Sequence, residues 1–195
     1  MLSNLNLKSE NYTDAVAYQL RKRIQNREIR VGIIGLGYVG LPLAIRFSEE
    51  GFKTIGLDID TEKIDKLNRG ESYIRHIDLE KIINTVKNGF TATNKFNEIA
   101  NIDVILICVP TPLGPHNEPD LSFIHDTLDT IRPYLRENHL LILESTTYPG
   151  TTAEEIVPFV ESITTESQVP KSDSRFIIGE NFFIGYSPER EDPGN

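Results

Sequence analysis

Only one cysteine, Cys108, occurs in the 195 residues. A lone thiol excludes an internal disulfide and any zinc site built from several cysteines, no metal site is expected, and a reducing compartment suits such a chain. No apolar run approaches the ~20 residues that a bilayer-spanning helix requires. The amino terminus, MLSNLNLKSENYTD, lacks the basic segment and apolar stretch of a secretory signal. The expected location is therefore the cytoplasm, with no membrane partner. Basic side chains are in deficit, 20 Lys and Arg against 29 Asp and Glu, for a formal charge of −9. That balance disfavours a nucleic-acid backbone, which requires clustered Lys and Arg to replace its counterions. An anionic ligand would have to be held by local backbone dipoles instead.

What the sequence does hold is an alternation. Residues 10–27 give a weakly amphipathic helical stripe, with Val16, Leu20 and Ile24 at four-residue spacing, expected to pack as an appended helix. From Arg30 onward, short apolar runs at 30–35, 53–58, 90–94, 103–109, 140–145 and 182–187 read as strands. Helical stretches at 39–50, 61–69, 78–88, 121–136 and 152–163 separate them. This is the mark of βαβ units, and runs such as VILICV and LLIL are apolar on both faces, as in a parallel sheet covered by helices on both sides. The predicted fold is α/β, a Rossmann-like, doubly wound, mainly parallel sheet, with residues 1–28 as a helical extension and 29–195 as one domain. Residues 110–120, with four prolines and a glycine, can only be a loop, and polar residues 164–175 form an exposed connection.

Gly35, Gly37 and Gly40 form G-L-G-Y-V-G directly after the first strand and at the start of a helix, with Pro42 tolerated in its first turn. The first glycine permits the tight turn, the second lets backbone approach a pyrophosphate, and the third allows close helix–strand packing. Tyr38 and Val39 lie between the last two glycines, where free N–H groups and the positive helix end would hold phosphates. Three glycines at this spacing also occur in turns that bind nothing. Asp58 adds the missing context, ending the next strand 23 positions after Gly35, close to the ~20 expected of a carboxylate that accepts from an adenosine ribose. A lone Asp there would otherwise read as a strand-end carboxylate or helix cap. No Arg adjoins Asp58, so the expected cofactor is NAD and not NADP.

The fuller string VGIIGLGYVGLPLAIRFSEEGFKTIGLDID resembles the UDP-sugar 6-dehydrogenases, the UDP-glucose and UDP-N-acetylhexosamine dehydrogenases. CVPTPLG at 108–114, ESTTYPGTT at 144–152 and GYSPEREDPGN at 185–195 carry the same resemblance, from about Val31 onward, and the last looks more like the N-acetylhexosamine enzymes. In that family a primary alcohol at C6 of a nucleotide sugar is oxidised twice, consuming two NAD, to give precursors of surface polysaccharides. The resemblance implies that Thr111 and Thr146 lie near cofactor and reaction centre, with Thr146 also catalytic, and that Lys63 lies near the adenosine end. It further implies that Glu189 stands beside the sugar C6, moving protons or positioning water, and that Arg190 contacts substrate. Plainer readings exist for each: backbone hydrogen bonds for the threonines, a solvated helix face for Lys63, a surface turn for Glu189, a structural salt bridge for Arg190.

The family's chemistry needs an activated thiolate that carries the intermediate as thiohemiacetal and then thioester. Cys108 lies in an apolar strand, where a buried thiol is an inert small hydrophobe. The family nucleophile, its helpers, the UDP-binding domain and the central helix that builds the dimer are all expected after Asn195. The chain is thus expected to be partial, inactive alone and without most of the dimer interface. Competing readings are a 3-hydroxyacid dehydrogenase-like domain, which would not need the VPTP and SPER-DPG segments, and a stand-alone NAD-binding module.

Overall fold

The run VILI at Val104–Ile107 is too apolar for a strand with one wet face, and it forms β4 with all four residues buried. In the computed structural model, which describes residues 15–75, 77–115, 118–163 and 176–188, five further strands flank it. They are β1 (Arg30–Ile34), β2 (Lys53–Leu57), β3 (Thr91–Thr93), β5 (Leu140–Leu143) and β6 (Phe183–Tyr186). All pairings are parallel, and the spatial order is β3-β2-β1-β4-β5-β6. This is the doubly wound, Rossmann-like arrangement anticipated from the sequence, with the order reversing between β1 and β4.

Strand pleating sorts the core into two layers. Val31 and Ile33 of β1 and Val104 and Leu106 of β4 join one apolar cluster, with Leu41, Ala44 and Ile45. Ile34, Ile105 and Ile107 join the other, with Ile124, Leu128 and Ile131. The helices that supply these partners are α2 (Gly40–Glu49) and α5 (Ser122–Ile131), so opposite sheet faces are covered by opposite halves of the chain. Three more helices complete the connections: α3 (Thr61–Asn68), α4 (Leu79–Lys87) and α6 (Val157–Glu161). A helix over 15–25, α1, precedes the first strand, with Leu20 buried and Ile24 packed on the core. Among the described residues, no helix is long and apolar enough to cross a membrane.

Three details depart from the sequence expectation. The helix expected over 121–136 ends at Ile131 and continues as a 3-10 turn, Arg132–Tyr134, because Pro133 has no N–H to extend the α-ladder. The helix expected over 152–163 opens with a π-turn, Thr152–Ile156, where Pro158 likewise lacks the donor that an α-turn would use. A 3-10 helix, Phe96–Asn101, joins β3 to β4 and buries Ile99. The polar stretch 164–175 lies outside the described residues.

Asp103, just before β4, holds the amino edge of the sheet. Its carboxylate accepts from the Arg30 N–H at 2.9 Å, from Arg23 of α1 at 2.9 Å and from Arg136 at 3.2 Å. Burial alone would raise its pKa. The Arg30 N–H and the Arg23 and Arg136 guanidiniums outweigh that and hold it below the usual carboxylate range. One buried carboxylate therefore ties the appended helix, the first strand and the approach to β5 together, leaving the opposite edge of the sheet to the loops.

Candidate functional site

At that carboxyl edge the chain between β1 and α2 makes the glycine turn. Gly35 has φ +89°, and a Cβ on it would lie 2.6 Å from the Cys108 carbonyl oxygen. A Cβ on Gly40 would lie 1.8 Å from the Gly35 carbonyl oxygen. Both glycines are therefore demanded by the protein's own packing. Gly37 is different: among the described residues a Cβ there would meet nothing within 4 Å, and its φ is not left-handed. Nothing among the described residues requires a glycine at 37, whereas a close-approaching ligand would.

Helix α2 begins directly behind this turn. Its neighbours α3 and α4 have Asp60 and Asp78 as N-caps, each accepting from first-turn N–H groups. Helix α2 has Val39 at its N-cap, no side-chain cap hydrogen bond and no acidic residue in its first turn. The partial positive charge of its N-terminus is thus left to an anion from outside. Tyr38, half-exposed, stands at the mouth.

Asp58, at the end of β2, is 7% exposed. Its Oδ2 accepts from the Leu36 N–H at 2.8 Å and its Oδ1 from the Asp60 N–H at 2.9 Å. The strand-end reading and the ligand reading of Asp58 are therefore compatible, because each oxygen keeps a second lone pair. Lys63, in the first turn of α3, has its Nζ 3.9 Å from Asp58 Oδ2 and 4.0 Å from Asp60 Oδ2. The same Nζ is 5.9 Å from the centre of the Tyr73 ring. Tyr73 donates its hydroxyl hydrogen bond to the Leu36 carbonyl. Sequence reasoning passed over Tyr73, since nothing in a single sequence marks one tyrosine of a loop as facing a turn 37 positions away.

The loops after β4 and β5 meet beside the turn. Thr111 donates to the Thr146 carbonyl at 2.6 Å, and Ser145 donates to the Val109 carbonyl at 2.7 Å. Thr111 and Thr146, 35 positions apart, are thereby brought together, with the Thr111 hydroxyl proton committed to backbone and its oxygen able to accept. Farther out, His125 of α5 and Tyr148 reach the two oxygens of Glu155, each at 3.3 Å. Cys108 is buried, and burial, then the charge of Glu144, push its thiol up to about 12. It stays a protonated apolar filler in the physiological range. Glu189 and Arg190 lie outside the described residues.

An all-parallel sheet with this strand order, a glycine turn against an uncapped helix end at its switch point and a strand-end carboxylate beside that turn define a dinucleotide-binding α/β domain. Comparison with known proteins narrows the class. Residues 29–195 match the UDP-glucose/GDP-mannose dehydrogenase family, NAD binding domain, and the chain belongs to that family. Protein CapL of Staphylococcus aureus is 35% identical over 165 residues, which are 85% of this chain and 36% of CapL. UDP-N-acetyl-D-glucosamine 6-dehydrogenase of Pseudomonas aeruginosa is 34% identical over 169 residues, 87% of this chain and 37% of that enzyme. Among solved structures, UDP-N-acetyl-mannosamine dehydrogenase of Staphylococcus aureus superposes with a TM-score of 0.73 at 31% identity, covering 85% of this chain and 38% of that one. The chain thus spans a little over a third of the length of these relatives, and NAD is the family's cofactor.

Proposed function

We propose that the chain is the cofactor half of a nucleotide-sugar 6-dehydrogenase. The proposed reaction takes the C6 hydroxyl of a UDP-N-acetylhexosamine, or of UDP-glucose, to the carboxylate with two NAD, supplying surface polysaccharide precursors. Residues 1–28 are an appended extension and 29–195 the cofactor domain. The observation that supports this most is Gly37, a glycine with open space where its side chain would be, at the mouth of a helix end left without a cap.

NAD when bound would supply the hydride acceptor. This chain's own residues hold and orient. The turn from Gly35 to Gly40, including Tyr38 and Val39, presents backbone N–H groups to the pyrophosphate. Asp58 accepts from the adenosine ribose on its remaining lone pairs, and Lys63 lies at the adenosine end. A 2′-phosphate would face Asp58 and Asp60 together, with Lys63 already shared between them. Thr111 and Thr146 line the nicotinamide side, and Thr146 assists at the reacting carbon. Glu189 handles the proton at C6 and Arg190 contacts the sugar nucleotide. A partner with a polyanionic backbone, such as nucleic acid, is unsuited to a chain of charge −9.

Calorimetric titration with NAD and NADP, on the native chain and on Asp58→Ala, tests the reading. NAD is expected to bind more tightly than NADP. The substitution is expected to weaken NAD by about tenfold or more, the usual loss for a charged hydrogen-bond partner, and to narrow the preference. A folded chain that binds neither nucleotide at millimolar concentration would overturn it.

A further inference from the structure

We infer that Tyr73 is a positioning residue for the phosphate-binding turn, acting through a single peptide unit, Leu36–Gly37. The inference rests on the cofactor reading above and deepens it.

Leu36 is held from three directions. Its side chain is fully buried, its N–H donates to Asp58, and its carbonyl accepts from the Tyr73 hydroxyl. The carbonyl of Leu36 and the N–H of Gly37 belong to the same peptide group, and in a trans peptide the two point in opposite directions. A hydroxyl that fixes the carbonyl on one side therefore aims the Gly37 N–H to the other. This matters because the following residue is glycine, whose permissive backbone lets the preceding peptide plane rotate at little steric cost. On the side where a Gly37 side chain would stand, no described atom lies within 4 Å, so nothing packed there opposes such a rotation. Among the described residues, the Tyr73 hydroxyl is the hydrogen bond on the Leu36 carbonyl that holds the direction of the first N–H of the cradle.

Tyr73 is itself held for this task. In the loop between α3 and α4, the Ser72 hydroxyl donates to the Ile74 carbonyl at 2.8 Å and accepts from the Ile74 N–H at 3.2 Å, closing a small ring around Tyr73. Ile74 is buried in the same apolar cluster as Leu36 and anchors the loop. Burial, then the charges of Asp58 and Asp60, push the Tyr73 hydroxyl well above the ordinary tyrosine range, so it remains a donor at every working pH. The ring also lies within reach of the Lys63 ammonium, joining the turn to the carboxylate pair of Asp58 and Asp60.

The test is Tyr73→Phe, which removes one hydroxyl and keeps the ring. Dissociation constants for NAD, ADP and adenosine are measured by NMR titration, which reaches the millimolar range, and circular dichroism checks the fold. The native chain must first bind NAD. If it does not, the cofactor reading fails and this inference falls with it. With binding present, the expected result is about fivefold weaker NAD and ADP, the loss of one hydrogen bond, with adenosine unchanged because it carries no phosphate. Equal NAD affinity in both proteins would overturn the inference. So would adenosine weakening in proportion, which would mark a general loosening of the site. Should Tyr73→Phe not fold, Ser72→Ala leaves the hydroxyl but frees its loop, and about twofold weaker ADP at constant adenosine is expected; no change in ADP overturns the inference.

Discussion

Gly40→Ala is expected to destabilise the domain severely. The added methyl would lie 1.8 Å from the Gly35 carbonyl oxygen and 3.2 Å from Ile33 Cγ2, and neither can withdraw. Gly35 is pinned by its N–H to the Leu57 carbonyl at 2.8 Å and by a left-handed φ that only glycine adopts at ease. Relief would require α2 to lift from the sheet, exposing Leu41, Ala44 and Ile45. A loss of about 4 kcal/mol or more is expected, a large share of the ~5–15 kcal/mol that holds such a domain together. Gly37→Ala is the matching control, because its methyl enters open space. That variant is expected to keep its melting temperature within a few degrees and to lose NAD affinity by about tenfold or more, since the methyl occupies the ligand's path. Thermal melts and NAD titrations of both variants decide the matter. A Gly40→Ala protein melting near the native temperature would refute the packing account of the turn.

The second large effect concerns His139, which is fully buried ahead of β5. Its Nδ1 accepts from the Arg136 N–H at 3.3 Å, so the neutral ring carries its proton on Nε2, which is buried and, among the described residues, has no acceptor in full hydrogen-bond geometry, the Ile102 backbone being its polar neighbour. The ring meets Phe182 edge-on, with centroids 6.1 Å apart. Burial, then the nearby Arg136 charge, push its pKa down from 6.5 to about 3. The folded protein therefore keeps His139 neutral while the unfolded chain protonates it below pH 6.5. Stability from this group is complete above 6.5 and declines as pH falls toward 3, at about 1.4 kcal/mol per pH unit, which is ~2 kcal/mol by pH 5. His139→Asn keeps an acceptor for the Arg136 N–H and cannot titrate. Urea unfolding of both proteins at pH 7.5, 6 and 5 is expected to give a steep decline in the native chain and a shallower one in the variant. Parallel declines would place the acid sensitivity elsewhere.

Much of this molecule is readable from its sequence, for identifiable reasons. Strands such as VILI and LLIL announce themselves because a sheet covered on both faces leaves no position for a polar residue, and the ends of all six strands fell within a residue or two of their apolar runs. The glycine turn was legible because its spacing follows from backbone geometry alone. What stayed hidden is what depends on distant partners. Asp58 was foreseen as a carboxylate at the edge, but its bond to the Leu36 N–H was not. Asp103, Tyr73 and His139 belong to no periodic pattern; each owes its importance to neighbours that only the folded chain brings within reach. The π-turn and the 3-10 turn at Arg132–Tyr134 come from single prolines whose effect depends on which carbonyl they leave unpaired. Residues 10–14 of the expected first helix, like Glu189 and Arg190, lie outside the described residues.

The strand order also sets a timetable for synthesis. Arg30 of β1 finds its partner Lys53 after 23 residues, but Val31 must wait 73 residues for Val104 on its other side. At roughly 5–20 residues per second, a ribosome leaves the second edge of β1 unpaired for about 4–15 s. During that interval β1, β2 and β3 can assemble as a half-sheet with α2 against it, yet Gly35 has no Cys108 carbonyl to close upon. The nascent half therefore carries the glycine turn before the contact that shapes it exists. An apolar edge left open for seconds is a natural target for chaperones that bind extended chains, and the arrival of β4 at once removes that target and finishes the cradle.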